Sequence, residues 1–217
     1  MRTFGFPEFL FILEAAKWTI ALSLIAFAGG TIGGLLVALG RTSGNALARR
    51  AATAFVQVFQ GTPLLLQLFL VFFGAPVLGI DLNPWVAAGI ALILNTSAFL
   101  GEIWRGCIQA IPYGQSEAAH SLGLHYIDRM RDVVLPQAFK IALPPTVGYL
   151  VQVIKGTSLA AIIGFAEVTR AGQIINNATF QPLIVFSLVA AIYFALCWPL
   201  SLLAARMERR QAAALTR

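Results

Sequence analysis

Between Lys17 and Arg41 the chain carries no charged side chain, so residues 18–40 form one unbroken uncharged run. About twenty mostly apolar residues wound as a helix cross the hydrocarbon core of a bilayer. Lipid offers backbone groups no water to bond to, and a helix satisfies them within itself. Apolar runs of similar length recur at residues 54–78 and 181–205, both uncharged, and at 84–106 and 141–165, which carry Glu102 and Arg105 near one edge and Lys155 within. Charged residues make up 11% of the chain, against about a quarter in soluble domains, and the mean hydropathy is +0.81. These runs predict an all-α integral membrane protein with about five spans. All 217 residues form a single transmembrane domain, too short for a second large soluble one. The apolar start FGFPEFLFIL is interrupted by Glu8, Glu14 and Lys17 and leads straight into the first span, which argues against a cleaved secretory signal.

The net charge of +6 sits at the ends of the apolar runs, not in a patch interleaved with aromatics, so the reading excludes nucleic acid as a partner. Eleven of the fifteen basic residues fall on one side of a five-span topology. They are Arg41, Arg49 and Arg50; Arg105, Arg129, Arg131 and Lys140; and Arg206, Arg209, Arg210 and Arg217. Arg2, Lys17 and Arg170 fall on the other side, and Lys155 lies within a span. Basic residues are retained on the cytoplasmic side, which predicts a cytoplasmic C-terminus and a periplasmic N-terminus. Cys107 and Cys197 have no CxxC partner and no metal spacing with His120 or His125, so no metal site is expected. There is no G-x-x-x-x-G-K-[ST] phosphate loop, HExxH or GxSxG, so an enzymatic role is not expected.

One segment does not fit the apolar pattern. EAAHSLGLHYIDRMRDVVLP, residues 117–136, holds two His, three acids and two Arg, and the charge bias puts it in the cytoplasm. Gly114 to Leu122 reads as a short helix stopped by Gly123, the residue suited to a left-handed cap. Tyr126 to Leu135 reads as a second helix ended by Pro136, which can open the next one. Two short helices at an angle, the first rich in Ala, suit either a docking surface for another protein or a helix lying on lipid headgroups.

The EAA run, Gly123 and the Leu135–Pro136 pair resemble the EAA loop of ABC-importer permeases. QGTPLLLQLFLVFFG, LNTSAFLGEIWRGCIQAIPYGQSEAAHSLGL, VVLPQAFKIALPP and KGTSLAAIIGFAEVTRAGQ are similar to the polar amino-acid permeases of the histidine/glutamine/glutamate type. The resemblance covers most of the chain. It implies the type I importer (MetI-like) permease fold, location in a bacterial inner membrane, and residues 112–140 as a coupling loop. In that loop Glu117, Ala118, Ala119, Ser121, Leu122 and Gly123 would face the ATPase. The implied partners are two ATP-binding cassette subunits that hold ATP and Mg, a second permease copy or paralogue, and a periplasmic binding protein. No cofactor is implied for this chain. Transport would proceed by alternating access driven by ATPase closure.

Polar groups inside the apolar spans are costly and mark a substrate path by default, and broken helices free backbone groups for a zwitterion. Gln60, Gly61, Thr62 and Pro63 form one break, with a plain kink as the alternative. Lys155, Gly156, Thr157 and Ser158 form another, and Tyr149, Gln152 and Gly156 share its helical face. Lys155 would meet a substrate carboxylate or Glu167, or snorkel to the interface. Asn95 and Ser97 line the path or bond helix to helix. Relatives often carry Arg at the position of Gln60 and Asp at that of Gly156. Those departures speak against a cationic substrate, or make this chain the non-binding half of a heterodimer. A self-sufficient secondary transporter is the other reading, and it would need intramembrane acids. The spans offer only Lys155 at depth and Glu102 near an edge.

Overall fold

A computed structural model describes residues 3–215, every element of which is helical. Arg2 and Arg217, counted in the charge bias, lie outside the described residues. The helices are α1 (Phe6–Thr42), α2 (Ala46–Gly61), α3 (Leu64–Val77), α4 (Pro84–Gln109), α5 (Tyr113–Ser121), α6 (Tyr126–Asp128), α7 (Leu135–Gly156), α8 (Val168–Thr179) and α9 (Pro182–Leu215). A π-helical segment (Arg129–Val134) joins α6 to α7, and a 3-10 turn (Thr157–Ile163) follows α7. Phe6–Thr42, Pro84–Gln109, Tyr126–Ile163 and Pro182–Ala213 are long and apolar enough to cross a membrane. With α2 and α3 counted as one span bent by 102°, there are five.

Two boundaries differ from the sequence expectation. The first helix starts at Phe6, not near residue 18, and runs for 37 residues, roughly 55 Å at 1.5 Å per residue. Glu8, Glu14 and Lys17 interrupt hydropathy but are compatible with a helix. Glu8 accepts the Gly5 N–H at 3.0 Å and so caps the helix start. The second difference is at Pro136, where the chain stays helical from Tyr126 to Ile163. Proline clashes with the carbonyl four residues back, and the wider π turn over Arg129–Val134 makes room there.

The glycines of GGTIGG set the tightest contact in the bundle, between α1 and α4. A β-carbon at Gly30 would lie 2.2 Å from Thr96 Cγ2, and one at Gly33 would lie 2.2 Å from Ser97 Oγ. Only glycine permits this approach, the small-residue packing expected between membrane helices. Around it Leu22, Ala26, Leu68, Ala88, Ala91, Leu92, Val153 and Phe165 form a core joining α1, α3, α4 and α7. A second core of Ile12, Val168, Ala171, Val185 and Val189 ties α8 to α1 and α9. Gly30→Leu should therefore separate α1 from α4. Overpacking costs about 1–3 kcal/mol in well-packed cores, and the test is recovery of monodisperse protein and its thermal midpoint in detergent. Gly89→Ala, where a β-carbon meets nothing within 4 Å, is the matched control and should behave as wild type.

Candidate functional site

Pro63 has no N–H, so the carbonyl of Phe59, four residues earlier, loses its helical donor. The Gln67 side chain, on the first turn of α3, takes that place. Its Nε2 donates to Phe59 O at 2.8 Å, Thr62 O at 3.0 Å and Thr62 Oγ1 at 2.9 Å. Its Oε1 accepts from Asn95 Nδ2 at 3.0 Å, and Tyr149 Oη donates to Asn95 Oδ1 at 3.3 Å. One uncharged chain of bonds thus links the α2–α3 break to α4 and α7. Tyr149 also stacks on Phe99, with ring centroids 5.4 Å apart, and Gln60 Nε2 donates to Ala98 O at 3.4 Å. Gln67 and Asn95 are buried, whereas Gln60, Gly61, Thr62 and Pro63 are exposed, so the cluster opens on one side.

Of the residues proposed from sequence, Gln60, Thr62, Asn95 and Tyr149 come together, with Gly61 and Pro63 forming the bend. Others lie elsewhere. Ser97 is buried against Gly33 and donates to Ile93 O at 2.7 Å. Thr157 is fully buried and bonds Ile154 O at 2.7 Å. Ser158 bonds Lys155 O at 2.7 Å. Gln152 is exposed on α7. A β-carbon at Gly156 would approach Leu64 Cδ2 at 3.1 Å, so position 156 faces α3. Lys155 turns instead toward α9, where it lines a cavity of about 270 Å³ with Tyr193, Cys197 and Trp198.

Lys155 does not pair with Glu167. Glu167 caps α8 through a 2.9 Å bond from the Arg170 N–H, and its other oxygen accepts from Tyr193 Oη at 2.5 Å and Thr19 Oγ1 at 3.4 Å. It is 0% exposed. Burial pushes its carboxyl above the ordinary range, while the Tyr193 hydroxyl and the Thr169 and Arg170 amides pull it back. Sequence reasoning offered Glu167 only as a partner for Lys155 and passed over Gln67. The position of Pro63 was the available signal for Gln67, since a proline orphans the carbonyl four residues back and calls for a nearby donor.

α5 lies at the end of the bundle where α1 finishes. It closes with both bonds of a Schellman motif, Leu124 N–H to Ala119 O at 3.1 Å and Gly123 N–H to His120 O at 2.9 Å. Gly123 has φ +80°, in the left-handed region. Glu117, Ala118 and Ser121 are exposed, Leu122 is 81% exposed, and Tyr113 and Ile127 beside them are also uncovered. Ala119 is buried and faces its own subunit. Of the two alanines, only Ala118 is therefore open to another surface. One three-residue charge cluster braces the region: Arg41 Nη1 meets Glu102 Oε2 at 2.8 Å, and Arg105 pairs with the same carboxylate three residues away on α4.

Comparison with known proteins agrees with this architecture. Residues 30–213 match the family described as binding-protein-dependent transport system inner membrane component. The chain is 37% identical to the glutamine transport system permease protein GlnP of Escherichia coli (strain K12) over 206 residues, covering 94% of each. It is 38% identical to the L-cystine transport system permease protein TcyB of Bacillus subtilis (strain 168) over 194 residues, 89% of this chain and 83% of that one. The crystal structure of an amino acid ABC transporter with histidines contains a chain that superposes with a TM-score of 0.88 at 34% identity, over 96% of this chain and 100% of that one. Nothing in these relationships favours a self-sufficient secondary transporter. The chain belongs to the binding-protein-dependent transport system inner membrane components, as a membrane-embedded permease of the amino-acid ABC importer type.

Proposed function

We propose that this permease moves a neutral polar amino acid or amino-acid derivative past the bend at Gln60–Pro63, using Gln60, Thr62, Asn95 and Tyr149 as its polar lining. The carrying observation is that the chain from Thr62 through Gln67 and Asn95 to Tyr149 holds no charged group. Amides and hydroxyls satisfy both ends of a zwitterion, but they give a cationic side chain no counter-charge. GlnP and TcyB are named for glutamine and L-cystine, whereas the superposed transporter structure is described with histidines, so the uncharged lining and not the relatives carries the assignment. Lys155 faces α9 and so supplies no carboxylate partner beside Gln60.

In the working assembly two such permeases, or this chain and a paralogue, stand over two ATPase subunits that bind ATP and Mg. A periplasmic binding protein delivers substrate. The N-terminus lies in the periplasm, and residues 112–140 form the cytoplasmic coupling loop, with Glu117, Ala118, Ser121, Leu122 and Gly123 toward the ATPase. The exposed Leu122 and Tyr113 support this, because large apolar side chains at a membrane-end helix imply a covering partner.

The test is ATP-driven uptake by the reconstituted complex with competing amino acids. Tyr149→Phe should lower uptake of a neutral polar substrate about tenfold, the equivalent of a hydrogen bond worth about 1.4 kcal/mol. Binding of a basic amino acid that Gln60→Ala and Tyr149→Ala both weaken would overturn the substrate assignment.

A further inference from the structure

At the end of the bundle that carries α5, a cavity of about 580 Å³ opens between the α1–α2 turn, the end of α4, α5 and α6. Arg41, Arg49 and Arg129 line it, and no Asp or Glu does. Arg41 shares the Glu102 carboxylate with Arg105, so two guanidinium groups there are balanced by one acid. Arg49 donates to the Ser43 carbonyl at 3.1 Å, which leaves its charge uncompensated. Arg129 lies over the Tyr126 ring at 5.5 Å, and its Nε is buried without any hydrogen-bond acceptor. Buried donors are almost always paired, so one that is not points to a missing partner. Tyr126 Oη bonds the Thr42 carbonyl at 3.3 Å and holds the ring and the turn together across the opening.

We infer that this cavity binds a phosphate ester anion, supplied by the headgroup of an anionic glycerophospholipid. Arginine forks match phosphate oxygens, and three of them around one hollow exceed what a single carboxylate contact needs. The depth fits a lipid. Arg41 is in the last turn of α1, directly after the uncharged run ending at Gly40, where headgroups lie. Ile108, Met130 and Val134 add an apolar wall suited to the glycerol and the first acyl carbons. The membrane orientation proposed above enters only in assigning the leaflet. Because the cavity touches the turn before α5 and the helix after it, an occupant would hold α5 at a fixed angle to the spans.

The whole transporter complex in nanodiscs of phosphatidylcholine provides the test, with photo-reactive phosphatidylglycerol as the probe and peptide mapping of the crosslinks. Labelling should fall within residues 41–49, 108–116 and 126–134 of the wild type. The Arg49→Gln, Arg129→Gln double variant should retain phosphatidylglycerol at least about tenfold less well. Arg210→Gln, in the basic tail, should retain it fully. Excess glycerol 3-phosphate that competes would overturn the lipid as the source and assign the anion to a soluble phosphate ester, whereas failure to compete, with the crosslinks in place, supports the lipid. Equal retention by wild type and double variant, or wild-type crosslinks outside those segments, would overturn the site. If the double variant does not assemble, the wild-type crosslink map decides alone. The readout is binding, so it stands or falls apart from the substrate assignment.

Discussion

Gly123→Asp should leave the protein in the membrane at its wild-type level and cut ATP-driven uptake at least tenfold, while the partner ATPase continues to turn over. Gly123 sits at φ +80°, where the conformation costs an L-residue roughly 1–2 kcal/mol. Its N–H and that of Leu124 close α5 on the carbonyls of His120 and Ala119. A carboxylate here would also face the negative end of the helix dipole, adding about 0.3–1 kcal/mol. Nothing approaches a β-carbon at this position within 4 Å, so the substitution clashes with no neighbour in the subunit. Its effect should be confined to the geometry of α5 and to whatever α5 touches. Asparagine has the same shape without the charge and is tolerated in this conformation, so Gly123→Asn should keep most of the uptake. The measurement is uptake and ATP hydrolysis on the same proteoliposomes, with insertion scored separately. Wild-type uptake by the Asp variant would remove α5 from the coupling path.

The all-helical membrane architecture and the family were legible because they rest on local signals. An uncharged run of span length is visible in a single window, and so is the EAA–Gly123 spacing. What escaped was set by partners far apart in the chain. Glu167 read as a partner for Lys155 because Thr19 and Tyr193, which bury and bond it, come from α1 and α9. Lys155 read as a cavity residue because it follows the right motif, yet one step along a helix turns a side chain by about 100°. That step separates the α9-facing Lys155 from the α3-facing Gly156. The start of α1 was misplaced for a different reason. Hydropathy reports where lipid ends, whereas Phe6 to Lys17 continue a helix whose inner face is buried by Val168 and Val185 of the second core.

Prolines show the same split between local and distant causes. Each removes a donor at a position readable from sequence, but the replacement donor depends on the fold. At Pro144 the orphaned carbonyl is that of Lys140, and Gln211 from the far end of α9 donates to it. At Pro63 the orphan is Phe59 O, and the donor, Gln67, is close in sequence. Glutamine serves in both places because its amide reaches past one helical turn and carries donors and an acceptor on one planar group.

Gln67 should consequently be the most sensitive uncharged position in the permease. Gln67 is 5% exposed, and its amide meets three acceptors and one donor at the bend. Gln67→Leu keeps the volume but leaves the Phe59 carbonyl and the Asn95 amide unpaired, at about 1–3 kcal/mol for each buried group. The variant should unfold at a lower temperature in detergent and lose uptake at least tenfold. Gln67→Glu is nearly isosteric and should be worse. It turns a donor toward two carbonyls into a carboxylate that repels them, in a setting that does not solvate the charge. The order Gln above Leu above Glu, in both thermal midpoint and uptake, is the expected result. A charge-tolerant site would put Glu level with Gln and would mean that water reaches the bend. If Leu alone matched wild type, the bond chain from Thr62 to Tyr149 would be incidental to the bend, which Pro63 would then hold without help.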